Sequence, residues 1–403
     1  MSGTVIVGAG QAGVQTAVEL RALGYTGPVT LLGAEHALPY HRPPLSKAYL
    51  TGEKSADSLL MRGPSFFSEQ SIALHQGAEV VAIDCRTKSV TINDGQRFGY
   101  EHLVLATGAA ARPLTCPGSD LDGVTVLRSR ADTEALKLRL ETASRLVVVG
   151  GGFIGLEVAA SARKLGKQVT VLEMQDRLMA RAVGPDVSGF FAQAHRNHGV
   201  DLRLGDGIAA IAAQAGAVSG VTTTSGAHLP CDLVLAGIGV SPRTHLAQAA
   251  GLAVANGIVV DPHQRTTDPH VFALGDCASF PNPRGGDMIR LESVQNAVDQ
   301  AKVVAAGIMG KEACYQAVPW FWSDQYDLKL QMVGLSQAHD HVEERGSRAD
   351  SRFSVFYFRS GQLVAIDSIN RPADHMRGRK LLSAGADPVT PGSLDAHFPA
   401  RAP

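Results

Sequence analysis

The chain has 403 residues, with 37 Lys and Arg against 38 Asp and Glu, a formal net charge of −1. That length predicts two to three domains, and the charge balance excludes an overall electrostatic case for nucleic acid or a membrane surface. No apolar stretch approaches a membrane span. The five cysteines (Cys85, Cys116, Cys231, Cys277 and Cys314) are scattered without a C-x-x-C, which argues against a disulfide framework or zinc site and fits a reducing cytosol. The first strand starts almost at once and leaves no room for a signal peptide; the expected compartment is the cytoplasm.

Val5 to Val7 read as a buried parallel strand. The loop that follows carries Gly8, Gly10 and Gly13 in G-x-G-x-x-G register. Val14, Ala17 and Val18 have helical spacing behind it, and a second strand, VTLLG, ends at Gly33. This strand-loop-helix-strand context is what a dinucleotide fingerprint requires. A hairpin follows in SVTINDGQRFGY, with Asp94-Gly95 at its turn, and then an apolar strand, LVLATG, to Gly108.

The order then repeats. Leu146 to Val149 form a strand. Gly150, Gly152 and Gly155 repeat the register, and Val158, Ala162 and Leu165 continue as a helix. The strand VTVLE ends at Glu173. A hairpin in GVTTTSGAHL turns at Ser225-Gly226, and LVLAGIG ends at Gly239. A further strand, VFALGD, ends at Gly275-Asp276. It is surplus to the second unit, so the chain is expected to return to the first domain, with Arg112-Pro113 and Pro242-Arg243 as crossing points. From about Pro319 the pattern becomes that of a small antiparallel sheet. Leu328, Leu330 and Met332 alternate with polar residues, and Ser360-Gly361 joins two strands. The Pro-rich end, PVTPGSLDAHFPARAP, is expected to be loosely ordered.

The expected domains are 1–111 with 240–317, then 112–239, then 318–403. Two glycine loops in one chain imply two dinucleotides bound together, and the commonest chemical reason is hydride transfer between them.

The stretches LPYHRPPLSKAYL, VLATGA, GGFIGLEVA, VFALGDCA, LESVQNAVDQA and PWFWSDQYDLKLQMVG carry a more specific signal. With them the chain resembles the FAD-dependent, NADH-dependent ferredoxin reductases of bacterial oxygenase systems, the putidaredoxin reductase, biphenyl-dioxygenase ferredoxin reductase and rubredoxin reductase type. The fold this implies is α/β: two Rossmann-like dinucleotide-binding domains, glutathione-reductase-like, plus a small α+β C-terminal domain. FAD is expected on the first domain, NADH on the second, and the third domain over the flavin edge. The implied partner is a [2Fe–2S] ferredoxin serving a cytochrome P450 or a ring-hydroxylating dioxygenase. An NADH oxidase, a rubredoxin reductase and an apoptosis-inducing-factor-like flavoprotein remain open as alternatives. No metal site and no oligomeric state are legible.

For FAD, the resemblance implies Gly8, Gly10, Ala12 and Gly13 at the pyrophosphate, and Arg42 at the adenosine-phosphate end. It implies Val80 beside the adenine, with Thr107, Gly108 and Arg128 near the cofactor. Asp276 is the expected acceptor for ribityl hydroxyls, and Val294 offers a backbone N–H to the flavin pyrimidine. The ribose acid is displaced: relatives often carry an acid directly after the strand-ending glycine, whereas this chain has Ala34 there and Glu35 next. For NADH, Gly150, Gly152, Phe153, Ile154 and Gly155 cradle the pyrophosphate. Glu173 accepts from the ribose 2′-OH, and Gly237 and Gly239 allow close approach of the nicotinamide. Lys47, at the end of RPPLSK on the first domain, and Glu157, in FIGLE, are expected to pair near the flavin. Pro43 and Pro44 form a rigid wall there, and Trp322 shields the flavin edge, with Trp320 the more structural of the two tryptophans. The flavin-facing segment HRPPLSKAYL has no cysteine, so electrons are expected to leave the flavin directly. A basic cluster, Arg371, Arg377, Arg379 and Lys380, is a candidate face for an acidic partner.

Overall fold

The computed structural model describes residues 3–383 and 387–399. They form two compact units. The first contains residues 3–41, 57–110 and 241–319; the second contains 42–56, 111–240, 320–383 and 387–399.

The first unit is built on a parallel sheet in the order Ile72–Gln76, Val29–Gly33, Gly3–Val7, Arg97–Leu105, with Val271–Ala273 also pairing with Arg97–Leu105. The strand from VFALGD therefore completes this sheet. The strands Gly3–Val7, Val29–Gly33 and Val271–Ala273 and the end of Arg97–Leu105 are buried on both faces of this sheet. Ile6, Leu31, Val104 and Phe272 pack with Val14, Ala17, Leu20, Ala301 and Val304 of the helices Gln11–Ala22 and Val294–Ile308. Their neighbours Val5, Val7, Leu32, Leu103, Leu105 and Val271 point the other way, as period-2 alternation demands. They meet Val80, Val90, Ile92 and Phe280. The Asp94-Gly95 turn forms as expected: Gly95 takes φ +88° and Asp94 Oδ1 accepts the Gln96 N–H at 2.8 Å. The strand Val80–Asp84 beside this hairpin was not read from the sequence.

The second unit repeats the plan. Its parallel sheet runs Val200–Leu204, Gln168–Glu173, Arg145–Val149, Leu233–Ala236, Val124–Val126. The hairpin that turns at Ser225-Gly226 gains a third strand, Ile208–Gln214. The same unit holds a five-stranded antiparallel sheet in the order Trp320–Gln325, Leu328–Gly334, Gln362–Ile369, Arg352–Arg359, His341–Ser347. Both residues of its Ser360-Gly361 turn have positive φ, the geometry of a tight hairpin. The helix Pro372–Leu381 lies against this sheet through Gly378, where a Cβ would stand 2.6 Å from Ile366 Cδ1.

Two placements differ from expectation. Residues 42–56, including Lys47, pack with the second unit rather than with the FAD-loop unit. Their anchor is polar and long-range, so no local pattern announces it. The Pro-rich tail is also more ordered than its composition suggests through Pro399. Val389, Leu394 and Phe398 are buried, Phe398 against Phe356, and Leu394–His397 is helical. Residues 400–403 lie outside the described residues.

Candidate functional site

Each glycine loop separates its three glycines into two kinds. In the first loop Gly8 has φ +112°, and a Cβ on it would stand 2.1 Å from Ala106 O; a Cβ on Gly13 would stand 1.9 Å from Gly8 O. The protein's own backbone demands both. Gly10 is different. Its φ is −85°, and nothing lies within 4 Å of its would-be Cβ. The second loop has the same arrangement. Gly150 (φ +107°) and Gly155 face Gly237 O and Gly150 O at 2.5 and 2.3 Å, whereas Gly152 has φ −82° and meets nothing nearer than 4.0 Å. The middle glycines keep clear a space that no protein atom fills.

Both spaces lie at helix N-termini. The helices Gln11–Ala22 and Phe153–Lys164 have no side-chain cap and no acidic residue in their first turns. By contrast, the helix Arg130–Thr142 is closed by a Ser129–Asp132 capping box. Uncapped N–H groups with a positive macrodipole and a glycine-cleared approach suit a pyrophosphate. Ala12 is buried in the first of these turns. In the second, Phe153 packs against Phe321 with tilted rings, centroids 4.8 Å apart, and Ile154 is exposed.

Around the first loop, Glu35 accepts a hydrogen bond from Tyr40 Oη at 2.5 Å, while Ala34 is exposed. Val80 is buried in its strand, and Val294 opens the helix capped by Ser293. Thr107 Oγ1 donates to Arg243 O at 2.7 Å, and Gly108 O accepts the Arg243 N–H. Gly275 has φ +75°, and its N–H is taken by Gln300 Oε1 at 2.7 Å, which fixes the turn that presents Asp276. Arg290 Nη1 holds the Asp276 carbonyl at 3.1 Å. Gln300 and Arg290 were missed in the sequence, because each acts on backbone far along the chain. In the second unit, Arg42 Nη1 donates to Arg128 O at 2.7 Å and so joins two predicted residues.

In the second loop, Glu173 does more than end its strand. Oε2 accepts the Gly151 N–H at 2.7 Å and Oε1 the Gln175 N–H at 2.8 Å. The carboxylate is thereby held at the mouth of the loop with lone pairs remaining on each oxygen. Arg177, the first cation after it, directs its guanidinium into Val183 O and Ala180 O, both at 2.7 Å. A Cβ on Gly237 would stand 3.3 Å from Gly155 Cα, and Gly239 has φ +97°.

Glu157 is only 3% exposed on the helix Phe153–Lys164. Pro43 and Pro44 start a 3₁₀ turn, Pro43–Ser46, that ends with Lys47 N–H on Pro44 O. That turn presents Ser46 and Lys47 together. Lys47 Nζ lies 2.9 Å from Glu157 Oε1, and Ser46 Oγ donates to Oε2 at 2.5 Å. Ser161, one helical turn beyond Glu157, donates to Ser46 O at 2.7 Å and fixes the turn from below. Ser323 Oγ adds a donor to Oε1 at 2.8 Å. A buried carboxylate is tolerated only with such partners.

Strand alternation separates the tryptophans from this cluster. Phe321, Ser323 and Gln325 share one face; Trp320, Trp322 and Asp324 share the other. Trp322 is half-buried beside Trp320, with centroids 5.6 Å apart. Trp320 packs on His375, and the Arg379 guanidinium lies 4.5 Å above its ring. The basic helix is partly engaged within the protein: Arg371 pairs with Asp374 at 2.5 Å and Arg377 donates to His397 O. Lys380 is exposed.

Two dinucleotide cradles in one chain, with a Lys–Glu pair in the second unit whose carboxylate is buried, define an oxidoreductase of the two-nucleotide class. The chain belongs to the pyridine nucleotide-disulphide oxidoreductase family, which it matches over residues 3–301, and a reductase C-terminal family matches residues 320–402. A rhodocoxin reductase of Rhodococcus erythropolis is 48% identical over 387 residues, 96% of this chain and 90% of the relative. The crystal structure of the ferredoxin reductase for the CYP199A2 system of Rhodopseudomonas palustris has 46% identity and a TM-score of 0.94, covering 97% of this chain and 96% of that one. The covalent putidaredoxin reductase–putidaredoxin complex has 41% identity and a TM-score of 0.95, covering 100% and 99%. The resemblance read from RPPLSK and FWSDQ is borne out, and so is the fold it implied.

Proposed function

We propose that the protein is an NADH-dependent FAD flavoprotein that passes single electrons to a [2Fe–2S] ferredoxin, which in turn serves a cytochrome P450 or a ring-hydroxylating dioxygenase. When bound, FAD takes two electrons from NADH as a hydride and releases them one at a time. The observation that carries the reading is the Lys47–Glu157 pair in a segment that contains no cysteine. Lys47 offers positive charge where a ring gains electrons, and Glu157 balances and orients that cation. A thiol acceptor has no partner there.

The rest follows from the residues. Gly8, Gly10, Ala12 and Gly13 with the helix Gln11–Ala22 hold the FAD pyrophosphate, with Glu35, Arg42, Pro43, Val80, Thr107, Gly108, Arg128, Asp276 and Val294 along the cofactor. Gly150, Gly152, Phe153, Ile154 and Gly155 hold the NADH pyrophosphate, and Gly237 and Gly239 border the nicotinamide. Glu173 takes the ribose diol, and the engagement of Arg177 with carbonyls supports NADH over NADPH. Trp322 covers the flavin edge on the electron's way out. The domains are 1–111 with 240–317 for FAD, 112–239 for NADH and 318–403 for docking. All five cysteines are free thiols, and among the described residues no helix is long and apolar enough to cross a membrane. Both support a cytoplasmic site of action.

The test is anaerobic. Purified protein should carry FAD, and NADH should bleach it within the mixing time of a rapid scan while NADPH does so far more slowly. Protein that purifies without flavin, or with flavin inert to NADH, contradicts the proposal.

A further inference from the structure

Glu157 terminates a hydrogen-bonded chain in which every donor points toward it. Ser323 Oγ is 2.8 Å from Glu157 Oε1, Gln325 Nε2 is 3.1 Å from Ser323 Oγ, His195 Nε2 is 2.8 Å from Gln325 Oε1, and Tyr326 Oη is 3.1 Å from His195 Nδ1. Glu157, Ser323, Gln325 and His195 are all buried, the last three fully.

The direction follows from chemistry. An ionised carboxylate only accepts, so the Ser323 hydroxyl proton points at Glu157. Its oxygen must then accept from the Gln325 amide N–H, which turns the amide oxygen toward His195. That oxygen accepts only, so His195 carries its proton on Nε2, and Nδ1 accepts from Tyr326. Burial pushes the His195 pKa down to about 4, so the ring is a neutral, single tautomer. Reversing the Gln325 amide would draw the serine proton away from the carboxylate and leave Glu157 one donor short. The far end is fixed too, since Tyr326 stacks on His198 with centroids 3.6 Å apart.

We propose that Ser323, Gln325 and His195 are positioning residues for the reaction at the Lys47–Glu157 pair. They hold the Glu157 carboxylate in one orientation and through it fix Lys47. This rests on the reading that the pair serves flavin reduction. The sequence shows Ser323 and Gln325 only as alternate residues of FWSDQ, and His195 only as a helix residue far upstream.

The experiment compares Ser323→Ala, Ser323→Thr, Glu157→Gln and the Ser323→Ala/Glu157→Gln double variant in the flavin-loaded protein. Stopped flow gives the limiting rate of flavin reduction and the Kd for NADH. Ser323→Ala should lower the limiting rate about tenfold with Kd changed less than about threefold, because positioning rather than binding is lost. Ser323→Thr, which keeps the hydroxyl, should restore the rate, and the double variant should be no slower than Glu157→Gln alone. Nitrogen-15 NMR of His195 supplies a readout independent of turnover and should show a neutral ring protonated on Nε2. An unchanged rate in Ser323→Ala while Glu157→Gln is slow, or a His195 proton on Nδ1, overturns the positioning chain. If Glu157→Gln itself reduces at the native rate, the role of the pair falls, and the chain falls with it.

Discussion

Lys47 Nζ stands 2.9 Å from Glu157 Oε1, at a carboxylate that also receives Ser46 and Ser323. The pair joins RPPLSK to FIGLE, two motifs more than a hundred residues apart. Replacing Lys47 with Ala removes the cation and leaves a buried carboxylate with hydroxyl donors only. The fold should lose on the order of 3 kcal/mol, and flavin reduction should slow while FAD is retained on purification. Urea melts and stopped-flow reduction by NADH check the two parts separately. A native reduction rate would remove the pair from the mechanism.

Glu173 should select NADH. On the proposed reading, a carboxylate in this position hydrogen-bonds a ribose diol and repels a 2′-phosphate. Because it also holds the Gly151 N–H, Glu173→Ala should loosen the loop and lower kcat/KM for NADH by about tenfold or more, with little loss for NADPH. Steady-state kinetics with both nucleotides decide it. Preference for NADPH in the unmodified protein would contradict the assignment.

The glycine loops predict an unusual contrast. Gly10→Ala adds a methyl to open space at an ordinary φ, so the apoprotein should fold with nearly native stability and lose FAD. Gly13→Ala drives a Cβ into Gly8 O and should destabilise the first unit itself. Gly152→Ala should weaken NADH binding alone, leaving FAD content unchanged. Flavin stoichiometry, NADH titration and thermal melts separate the three. Equal loss of stability in Gly10→Ala and Gly13→Ala would refute the division.

Asp367 gives the fold a pH signature. Burial pushes its pKa up to about 7, opposed by the Tyr357 hydroxyl that donates to it at 2.8 Å. An unfolded Asp titrates near 4, so the folded state binds the extra proton between these values. That stability is fully present below about pH 4 and is lost as pH rises toward 7. Asp367→Asn keeps the acceptor for Tyr357 and removes the titration. The variant should gain stability on the native protein as pH rises from about pH 4 to about pH 7, and the difference should stay constant above that. A stability difference independent of pH would contradict the assignment.

The sheets and loops were legible because their determinants are local. Val5–Val7 and Leu146–Val149 are apolar runs ending in glycine, and Ser360-Gly361 is a turn dipeptide. The Lys47–Glu157 pair came through a resemblance, since no spacing rule joins residues that far apart. What stayed hidden is the support around it. Ser46, Ser161, Ser323, Gln325 and His195 are ordinary residue types whose meaning lies in buried hydrogen bonds between distant segments. Gln300 is hidden in the same way, as a helix residue that acts on the Gly275 backbone. Composition misjudged the tail for a related reason, because Val389, Leu394 and Phe398 find apolar partners far back in the chain.

The most direct measurement is cytochrome c reduction by NADH with and without a small acidic [2Fe–2S] ferredoxin from the same organism, from about 20 mM to about 300 mM salt, a range over which screening of exposed charges changes severalfold. The account predicts a large ferredoxin-dependent rate that falls with salt, because Arg379 and Lys380 lie exposed on the helix Pro372–Leu381 and steer an acidic partner. No stimulation by ferredoxin, together with rapid peroxide formation from oxygen, would contradict it and make the protein an NADH oxidase.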